Sequence, residues 1–420
     1  MTYELYRGLT GAVWTVGLPW LRWKRRRGGR EWEERTGDLP SCRGGLWVHA
    51  ASVGEVAAAA PLVRELRSLG EQVLLTVMTP TGRSAAERLS STGASIAFPP
   101  LDAPAPVDAA LDSVSPRALL IVETELWPNI VVEAASRGVK VVMVNARLSA
   151  GSVRRYRGPL FPLTRVRASI DLVACRSEDD RSRFLELGFA PESLTVTGST
   201  KFDAAPSPPD EVERRDLRGR IGADDGSRVV VFGSVRPAEE ETVLGAVEAL
   251  VGDGGVRAVV APRHLARVAS IAGGLEARGI DYALRSRAGS RGGEPVTLLD
   301  TTGELVLFYA LADVAFVGGT LAPYGGHNPL EPAAVGVPVV IGPHTSSCAH
   351  ESRLLIERGG ALRVADGEGL RDAVRRLLSD EAMRLRMGAA AADVVSSGRG
   401  ATRLTIDALR SLGVVEGEVP

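Results

Sequence analysis

The chain has 420 residues, of which 45% are hydrophobic and 24% are charged, and its formal net charge is -1. Single hydrophobic cores stop growing at roughly 250 to 300 residues, so this length predicts two domains. The balanced charge excludes a general nucleic-acid binder, because such proteins carry a basic excess over a whole domain. The three cysteines, Cys42, Cys175 and Cys348, have neither disulfide-framework nor zinc-site spacing, which is typical of a reducing compartment.

The N-terminal segment, residues 1–35, joins an apolar and aromatic stretch to a basic one. The apolar stretch runs from Leu5 to Trp23, and a cluster of arginines follows it. A signal peptide has the opposite order, with its basic residues first. Glycines and Pro19 interrupt the stretch, which is close to the lower length limit for a transmembrane helix. The segment predicts a helix in the membrane interface, with a spanning helix or a helix packed on its own domain as alternatives.

After this segment, short β-branched or leucine-rich runs alternate with helical stretches, which is typical of parallel α/β sheets. The strands predicted in the first half are Leu46–Ala50, Val73–Val77, Ser95–Phe98, Ala118–Val122, Val139–Val144, Leu172–Ala174 and Leu194–Val196. Those predicted in the second half are Val229–Phe232, Ala258–Val260, Val296–Leu299, Val314–Val317, Val339–Ile341 and Leu362–Val364.

A proline-rich stretch at residues 204–212 separates the two halves and predicts a linker. The sequence therefore predicts two facing Rossmann-like domains, residues 36–203 and residues 213–420. Ligands of open parallel sheets bind beyond the carboxyl ends of the strands, so the loops after the strands are the candidate site.

Three charged residues stand out on such loops of the first domain. Glu55 follows the first strand and enters a helix, where it is either a general base for a hydroxyl or a residue that complements the helix dipole with a lowered pKa. Glu123 directly follows the fourth predicted strand and is a functional candidate, whereas Glu125 fits a capping partner of the helix that begins at Pro128. Lys201, beside the linker, is a candidate contact for a phosphate or carboxylate, or a solvated lysine.

The second domain contains a glycine-rich approach to a helix. Asn328 is the predicted N-cap, Pro329 fits the first helical position, and Glu331 fits a capping-box partner. Free N–H groups at such a helix start bind phosphate, which predicts a nucleotide site. Glu331 is either a ligand of ribose hydroxyls or a purely structural capping residue.

Two further loops follow strands of the same domain. Arg263 lies in one of them and fits a bidentate phosphate contact. Residues 302–304 lie in the other, where they contribute to the nucleotide site or only cap a helix. The chain has no Walker motif, no GxGxxG after its first strand, no HExxH and no nucleophile elbow, which disfavours P-loop kinases, dinucleotide oxidoreductases and hydrolases.

A series of short motifs, spread in order over essentially the whole chain, resembles one family. The motifs are Ala51-Ser52-Val53-Gly54-Glu55, Met78-Thr79-Pro80-Thr81-Gly82, Glu123-Thr124-Glu125-Leu126-Trp127-Pro128-Asn129, Asn145-Ala146-Arg147-Leu148-Ser149, Thr197-Gly198-Ser199, Lys201-Phe202-Asp203, Pro262-Arg263-His264 and Gly325 to Glu331. With its aromatic and basic N-terminus, the chain is similar to the 3-deoxy-D-manno-octulosonic acid (Kdo) transferases that modify lipid A precursors.

The resemblance implies a GT-B glycosyltransferase fold and inverting transfer of Kdo from CMP-Kdo to a lipid A precursor, lipid IVA, in lipopolysaccharide core biosynthesis. It implies no metal and no cofactor, since CMP-Kdo is a substrate. The implied location is the cytoplasmic face of the bacterial inner membrane, with an anionic membrane surface as partner and no nucleic acid.

The resemblance also assigns roles to residues by position. Glu55 is the implied base, and Glu123 and Lys201 are the implied transition-state stabilisers. The residues implied to hold CMP are Pro262, Arg263, Thr302, Gly303, Glu304, Asn328, Pro329, Leu330 and Glu331. Arg83 and Arg147 are expected contacts of the phosphorylated acceptor.

Two departures from the family pattern lie on the donor side. Where the family usually has a threonine-histidine pair before a glycine, the chain has the loop Val235-Arg236-Pro237-Ala238, and Leu265-Ala266 replace a usual proline-glutamate pair. The alternatives are another GT-B enzyme that uses a UDP-sugar, as a transferase or an epimerase, and a non-catalytic relative that binds lipid or nucleotide.

Overall fold

The structure is a computed structural model. It describes residues 2–159, 161–208, 210–224, 226–287 and 293–416. It divides into two compact units, one formed by residues 1–204 and 398–420 and the other by residues 205–397. Within these described residues, each unit contains one seven-stranded sheet. This confirms the predicted fold class of two parallel α/β domains. Pro209 of the predicted linker lies outside the described residues.

The first sheet consists of β1 (Leu46–Ala50), β2 (Val73–Val77), β3 (Ser95–Ala97), β4 (Ala118–Val122), β5 (Lys140–Ala146), β6 (Leu172–Cys175) and β7 (Leu194–Val196). All strands pair in parallel in the order β3-β2-β1-β4-β5-β6-β7. Successive side chains of β1 point to opposite faces of the sheet. Trp47 and Val48 are therefore fully buried in two different apolar clusters. Burial on both faces explains the continuous apolar runs of the central strands.

The helices of this part of the chain are α1 (Tyr3–Gly28), α2 (Arg30–Arg35), α3 (Val53–Ser68), α4 (Pro80–Ala86), α5 (Pro104–Val114), α6 (Pro128–Ser136), α7 (Ala150–Tyr156), α8 (Leu163–Ala168), α9 (Glu178–Glu186) and α10 (Thr200–Asp203). From β1, successive strands are added first on one side of the sheet (β2, β3) and then on the other (β4 to β7), so the order of the strands reverses between β1 and β4. In a doubly wound sheet this reversal opens a crevice at the carboxyl ends of the two strands.

The N-terminal segment forms the helix α1, as predicted, and this helix includes the glycines and Pro19 that interrupt the apolar stretch. One face of α1 packs on the first unit, where the hydroxyl of Tyr3 donates to Glu133 at 2.7 Å and that of Tyr6 donates to Asp102 at 2.8 Å. The expected alternative of a helix packed on its own domain is therefore correct for this face. Of the helices in the described ranges, none has both the length and the apolar character needed to cross a bilayer.

The second sheet consists of β8 (Arg228–Val235), β9 (Val256–Pro262), β10 (Tyr282–Leu284), β11 (Val296–Leu298), β12 (Val314–Val317), β13 (Val339–Ile341) and β14 (Ala361–Arg363), in the order β10-β11-β9-β8-β12-β13-β14. Its helices are α11 (Glu211–Arg220), α12 (Glu240–Gly252), α13 (Val268–Glu276), α14 (Leu305–Tyr309), α15 (Leu330–Ala334), α16 (Ala349–Glu357), α17 (Gly367–Ser379) and α18 (Glu381–Gly398). The chain order of this sheet reverses between β8 and β12.

The last helix, α19 (Ala401–Ser411), packs with the first unit and corrects the expectation that the second domain extends to residue 420. Ile406 and Leu409 are buried in the apolar cluster that includes α3. The carboxylate of Asp203 accepts hydrogen bonds from the amides of Gly400 at 2.7 Å and Thr402 at 2.6 Å. The first unit is therefore built from both ends of the chain.

Candidate active site

Glu55 lies in the first turn of α3, just beyond the carboxyl end of β1. Its side chain is 9% exposed. One carboxylate oxygen accepts from the amide of Ala51 at 2.7 Å, and the other accepts from the hydroxyl of Ser52 at 3.0 Å. The Ser52 hydroxyl in turn accepts from the Glu55 amide at 3.3 Å, as the N-cap of α3. These local hydrogen bonds fix the carboxylate at the end of the sheet.

The pKa of the Glu55 carboxyl is raised to about 7, mainly by burial. The amide of Ala51 opposes this rise, and the negative charges of Glu123 and Glu125 add to it. The pKa is therefore raised, which corrects the alternative expectation of a lowered pKa at the start of α3. A carboxyl with a pKa near the working pH is well suited to general base catalysis.

Glu123 occupies the first position after β4 with an unusual backbone conformation. Its φ is +61°, in the left-handed region that costs a non-glycine residue about 1 kcal/mol or more. The amide of Glu123 donates to the carbonyl of Val144 at 2.9 Å, and the side chain is buried. Such strain persists where the surroundings fix a side chain for function, which favours a functional role for Glu123.

Two cations hold the Glu123 carboxylate. Arg147, which follows β5, places its Nε 2.5 Å from Oε2, and Lys201, in α10, places its Nζ 3.4 Å from Oε1. The structure thus brings together Glu123 and Lys201 as predicted, and it adds Arg147, which was expected to contact the acceptor instead. About 40% of the Arg147 side chain remains exposed.

The position of Lys201 depends on both ends of α10. At the start of the helix, the side-chain oxygen of Asn145 accepts from the amide of Thr200 at 3.1 Å. At its end, Asp203 holds the start of α19. Asn145 also has a positive φ, +50°. Sequence reasoning missed these supports, although Asn145 and Asp203 both lie in the motifs singled out above.

The expected capping role of Glu125 is wrong, and Arg83 has partners that the sequence did not predict. Glu125 does not cap α6; it accepts from the indole of Trp127 at 3.1 Å, while Asp102 accepts from the amides of Asn129 and Ile130 at the start of that helix. Arg83 was expected to contact the acceptor. Its guanidinium pairs with the buried Glu34 at 2.6 Å and lies over the ring of Phe98, so it connects α2 to α4.

In the second unit, a buried carboxylate connects the loops after β8 and β12. Glu239 is 1% exposed and accepts from the amides of Gly319 at 2.6 Å, Leu321 at 2.8 Å and Arg236 at 3.1 Å. The loop after β9 joins them, because the amide of Arg263 donates to the carbonyl of Val235 at 2.9 Å. Three loops at the carboxyl edge of this sheet are therefore connected.

Glu331 and Asn328 lie at the start of α15. Burial raises the pKa of the Glu331 carboxyl to about 7, and the side chain of Asn328 and the charge of Arg263 oppose the rise. The helix begins at Leu330 with Pro329 as its N-cap, which corrects the assignment of Asn328 and the predicted capping box. Asn328 nevertheless accepts from the amide of Leu330 at 3.2 Å, and the Leu330 side chain is fully buried in the core.

The predicted site residues in the loop after β11 differ from one another in exposure and contacts. Thr302 and Gly303 are exposed, while Glu304 accepts from Arg285 at 2.8 Å and from the hydroxyl of Thr301. The N-cap of α14 is Glu304, and its side chain makes no capping hydrogen bond. Pro262 ends β9 beside Arg263. No group of three or more His, Cys, Asp or Glu in the described ranges is arranged as a metal site.

Comparison with known proteins identifies relatives over most of the chain. Residues 23–204 match the family model of 3-deoxy-D-manno-octulosonic-acid transferases (Kdotransferases). The chain is 37% identical to a 3-deoxy-D-manno-octulosonic acid transferase of Bordetella pertussis, with 96% of each protein covered. It is 35% identical to one of Haemophilus influenzae, with 87% of this chain and 86% of the relative covered.

A solved structure resembles the chain in fold alone. A UDP-GlcNAc 2-epimerase from Neisseria meningitidis bound to UDP-GlcNAc has a TM-score of 0.62 at 14% identity, and the match covers 87% of this chain and 100% of the epimerase. The fold of two doubly wound domains is thus shared with an enzyme whose structure holds UDP-GlcNAc.

Proposed function

Because the chain belongs to the 3-deoxy-D-manno-octulosonic acid (Kdo) transferase family, we propose that it transfers Kdo from CMP-Kdo to lipid IVA, a lipid A precursor, in lipopolysaccharide biosynthesis. The observation that carries this proposal is the buried Glu55 carboxyl with its raised pKa, near a second carboxylate held by two cations. This arrangement provides a base and a charged cluster on the same sheet edge.

Glu55 acts as the general base of the proposed reaction. It removes the proton from a sugar hydroxyl of the acceptor while the oxygen attacks the anomeric carbon of Kdo. Attack from the face opposite the departing CMP inverts the configuration at that carbon. The pKa of about 7 keeps a substantial fraction of Glu55 ionised at neutral pH while it remains basic enough to accept the proton.

Glu123, Lys201 and Arg147 stabilise charge as the bond to CMP breaks. The Kdo ring gains oxocarbenium-like positive charge, which a nearby carboxylate stabilises, and the phosphate gains negative charge, which a nearby cation stabilises. Lys201 and Glu123 are already in contact, so this cluster needs little reorganisation when the charges develop. We propose that these side chains supply the required charge without a metal ion.

The loops of the second unit hold the CMP portion of the donor in this proposal. Arg263 supplies positive charge toward the phosphate, and Glu331, with Asn328 beside it, accepts hydrogen bonds from ribose hydroxyls. Residues 302–304 line the donor site from the loop after β11. The buried Glu239 accepts from the amides of Gly319 and Leu321 and so holds the loop after β12 in place.

The acceptor is a lipid, and the exposed face of α1 is suited to the membrane that contains it. The apolar side chains exposed along this face, with a spacing of three or four residues, are Leu5, Leu9, Val13, Val16, Trp20 and Trp23. We call them the α1 stripe. Basic residues in the last turn of α1 extend the face toward anionic headgroups. This location would be the cytoplasmic face of the bacterial inner membrane.

The proposed function is tested by incubating the protein with lipid IVA and CMP-Kdo, with products weighed by mass spectrometry. We expect the acceptor mass to increase by one or more Kdo units. Parallel reactions with UDP-sugars serve as the control for donor class. Transfer from a UDP-sugar, or no transfer from CMP-Kdo, would contradict the proposal.

The membrane role predicts a loss of vesicle binding when the α1 stripe is made polar. Val13 and Val16 are 74% and 83% exposed, so Val13→Ser with Val16→Ser removes apolar surface without opening the core. Burying one valine side chain in lipid contributes about 1 kcal/mol or more to the free energy of binding. We therefore expect the double variant to partition at least about tenfold more weakly to vesicles that contain anionic lipid. Co-sedimentation measures the partitioning.

A matched control is available elsewhere on the chain. Val212 and Leu385 are 78% and 62% exposed on the second unit, so Val212→Ser with Leu385→Ser removes similar surface away from α1. This control is expected to bind vesicles like the wild type. Equal loss of binding in both variants would contradict a specific role of the α1 stripe.

A further inference from the structure

Arg236 lies at the carboxyl edge of the second sheet, where the order of the strands reverses. It directly follows β8, one of the two strands between which the chain order reverses, and such a point is where doubly wound domains bind ligands. The pairing of β8 with β9 is irregular between Phe232 and Val235, and Ser234 in this stretch has a φ of +57°. Irregularities of this kind redirect the following side chain.

Two histidines orient the guanidinium of Arg236. Its Nε donates to Nε2 of His327 at 3.1 Å, and its Nη1 lies 3.1 Å from Nε2 of His264. Because a guanidinium can only donate, both imidazole nitrogens must accept. The ring of Tyr324 lies 5.1 Å below the guanidinium carbon. Since Glu239 also binds the Arg236 amide, both the backbone and the side chain of this residue are fixed.

These contacts leave the positive charge of Arg236 uncompensated. Burial lowers the pKa of His327 to about 4, and burial with the charges of Arg263 and Arg236 lowers that of His264, so both rings are neutral at pH 7. Within the described part of the chain, no carboxylate forms an ion pair with this guanidinium. A guanidinium has five N–H donors, of which the histidines occupy two. The remaining donors and the full charge suit an anion.

We propose that Arg236 binds the phosphate of the nucleotide donor, and that His264 and His327 are positioning residues that orient its guanidinium. This inference rests on the proposed nucleotide-dependent function and adds a binding residue to it. An arginine fixed in this way suits the planar, bidentate recognition of a phosphate.

The test compares the binding of CMP and cytidine by calorimetry, because the two ligands differ only in the phosphate. In Arg236→Gln, we expect CMP affinity to fall at least about tenfold while cytidine affinity stays unchanged, since charge-assisted hydrogen bonds to phosphate contribute strongly to binding. The control is Arg257→Gln, which removes the same charge near the amino end of β9, away from the carboxyl edge of the sheet. This control is expected to change neither affinity. Equal CMP affinity in wild type and Arg236→Gln overturns the proposal.

The positioning role of the histidines has its own readout. His327→Ala is expected to weaken CMP binding less than Arg236→Gln does, and to have no further effect in the Arg236→Gln background. Additive effects of the two substitutions overturn the positioning role. Circular dichroism of each variant verifies that it is folded, and Arg236→Lys, which keeps the charge but not the bidentate donors, is expected to bind CMP with intermediate affinity.

The same measurements separate this inference from the proposed donor. If the wild type binds UMP rather than CMP, the donor assignment is wrong, while UMP and uridine then test Arg236 in the same way. If the wild type binds neither nucleotide more tightly than its nucleoside, Arg236 makes no phosphate contact and the inference is overturned.

Discussion

Glu55→Gln is expected to lower the rate of Kdo transfer by about 10²- to 10⁴-fold, the usual contribution of a general base. Glutamine keeps the size of the side chain and an oxygen that accepts from Ala51, but it cannot take a proton. CMP affinity should remain unchanged, because Glu55 belongs to the first unit and the loops proposed to bind the nucleotide belong to the second. Initial rates with CMP-Kdo and lipid IVA, beside calorimetric binding of CMP, measure both effects.

The pH dependence of the wild type provides an independent measurement of the same role. A base works in its deprotonated form, so the transfer rate should rise with pH and level off above about 7, the pKa of Glu55. The residual activity of Glu55→Gln should lack this rise. A wild-type profile that is flat between pH 5 and 8 would count against Glu55 as the base.

The raised pKa also predicts that Glu55→Gln is more stable than the wild type at high pH. Between the ordinary value of 4.5 and about 7, the folded protein holds a proton on Glu55 that the unfolded chain has lost. The stability of the wild type therefore falls as pH rises through this window, by about 3 kcal/mol in total. Urea unfolding at pH 5 and pH 8 should show the advantage of the variant only at pH 8, and a variant that is destabilised at both would indicate a structural role.

Lys201→Met is expected to lower kcat by about 10²- to 10³-fold, comparable with the loss of a preorganised electrostatic contact. The substitution removes positive charge from the transition state and leaves Glu123 with Arg147 as its remaining described cation. Because the second negative charge of the phosphate develops only as the bond breaks, kcat should fall much more than the KM for CMP-Kdo rises. Steady-state kinetics with CMP-Kdo separate the two parameters.

Lys140→Met serves as the matched control for Lys201→Met. Lys140 also forms an ion pair, with Asp171 at 2.8 Å, but it starts β5 rather than following a strand. Its replacement should leave kcat within about twofold of the wild type, because exposed ion pairs contribute little. If both lysine variants lose activity equally, general destabilisation explains the loss better than a role in catalysis.

The fold was predictable where burial leaves a continuous apolar pattern. The central strands β1 and β4 have the bounds predicted from sequence, because both faces of these strands are covered. The edge strand β10 was missed, since Tyr282–Leu284 is short and only partly buried. The partner of α19 was also unpredictable, because an amphipathic helix shows which face is buried but not which surface covers it.

The candidate site was predictable at the level of position and less so at the level of environment. Strand ends identified Glu55, Glu123 and Arg263, because ligand sites of parallel sheets lie there. The sequence could not decide whether burial or the helix dipole controls Glu55, since both depend on the packing around it. It also could not pair Arg83 with Glu34 or Arg147 with Glu123, which are 49 and 24 residues apart.

The return of the chain to the first unit has a consequence for synthesis. A ribosome that has produced residues 1–204 has made the strand ends that carry Glu55 and Glu123 but not the helix that covers α3. The second unit, residues 205–397, can complete its fold earlier, because domains fold as units while the chain emerges. The unit translated first is thus finished last, and a premature stop near the end of translation would damage the first unit, which contains Glu55, rather than the second unit.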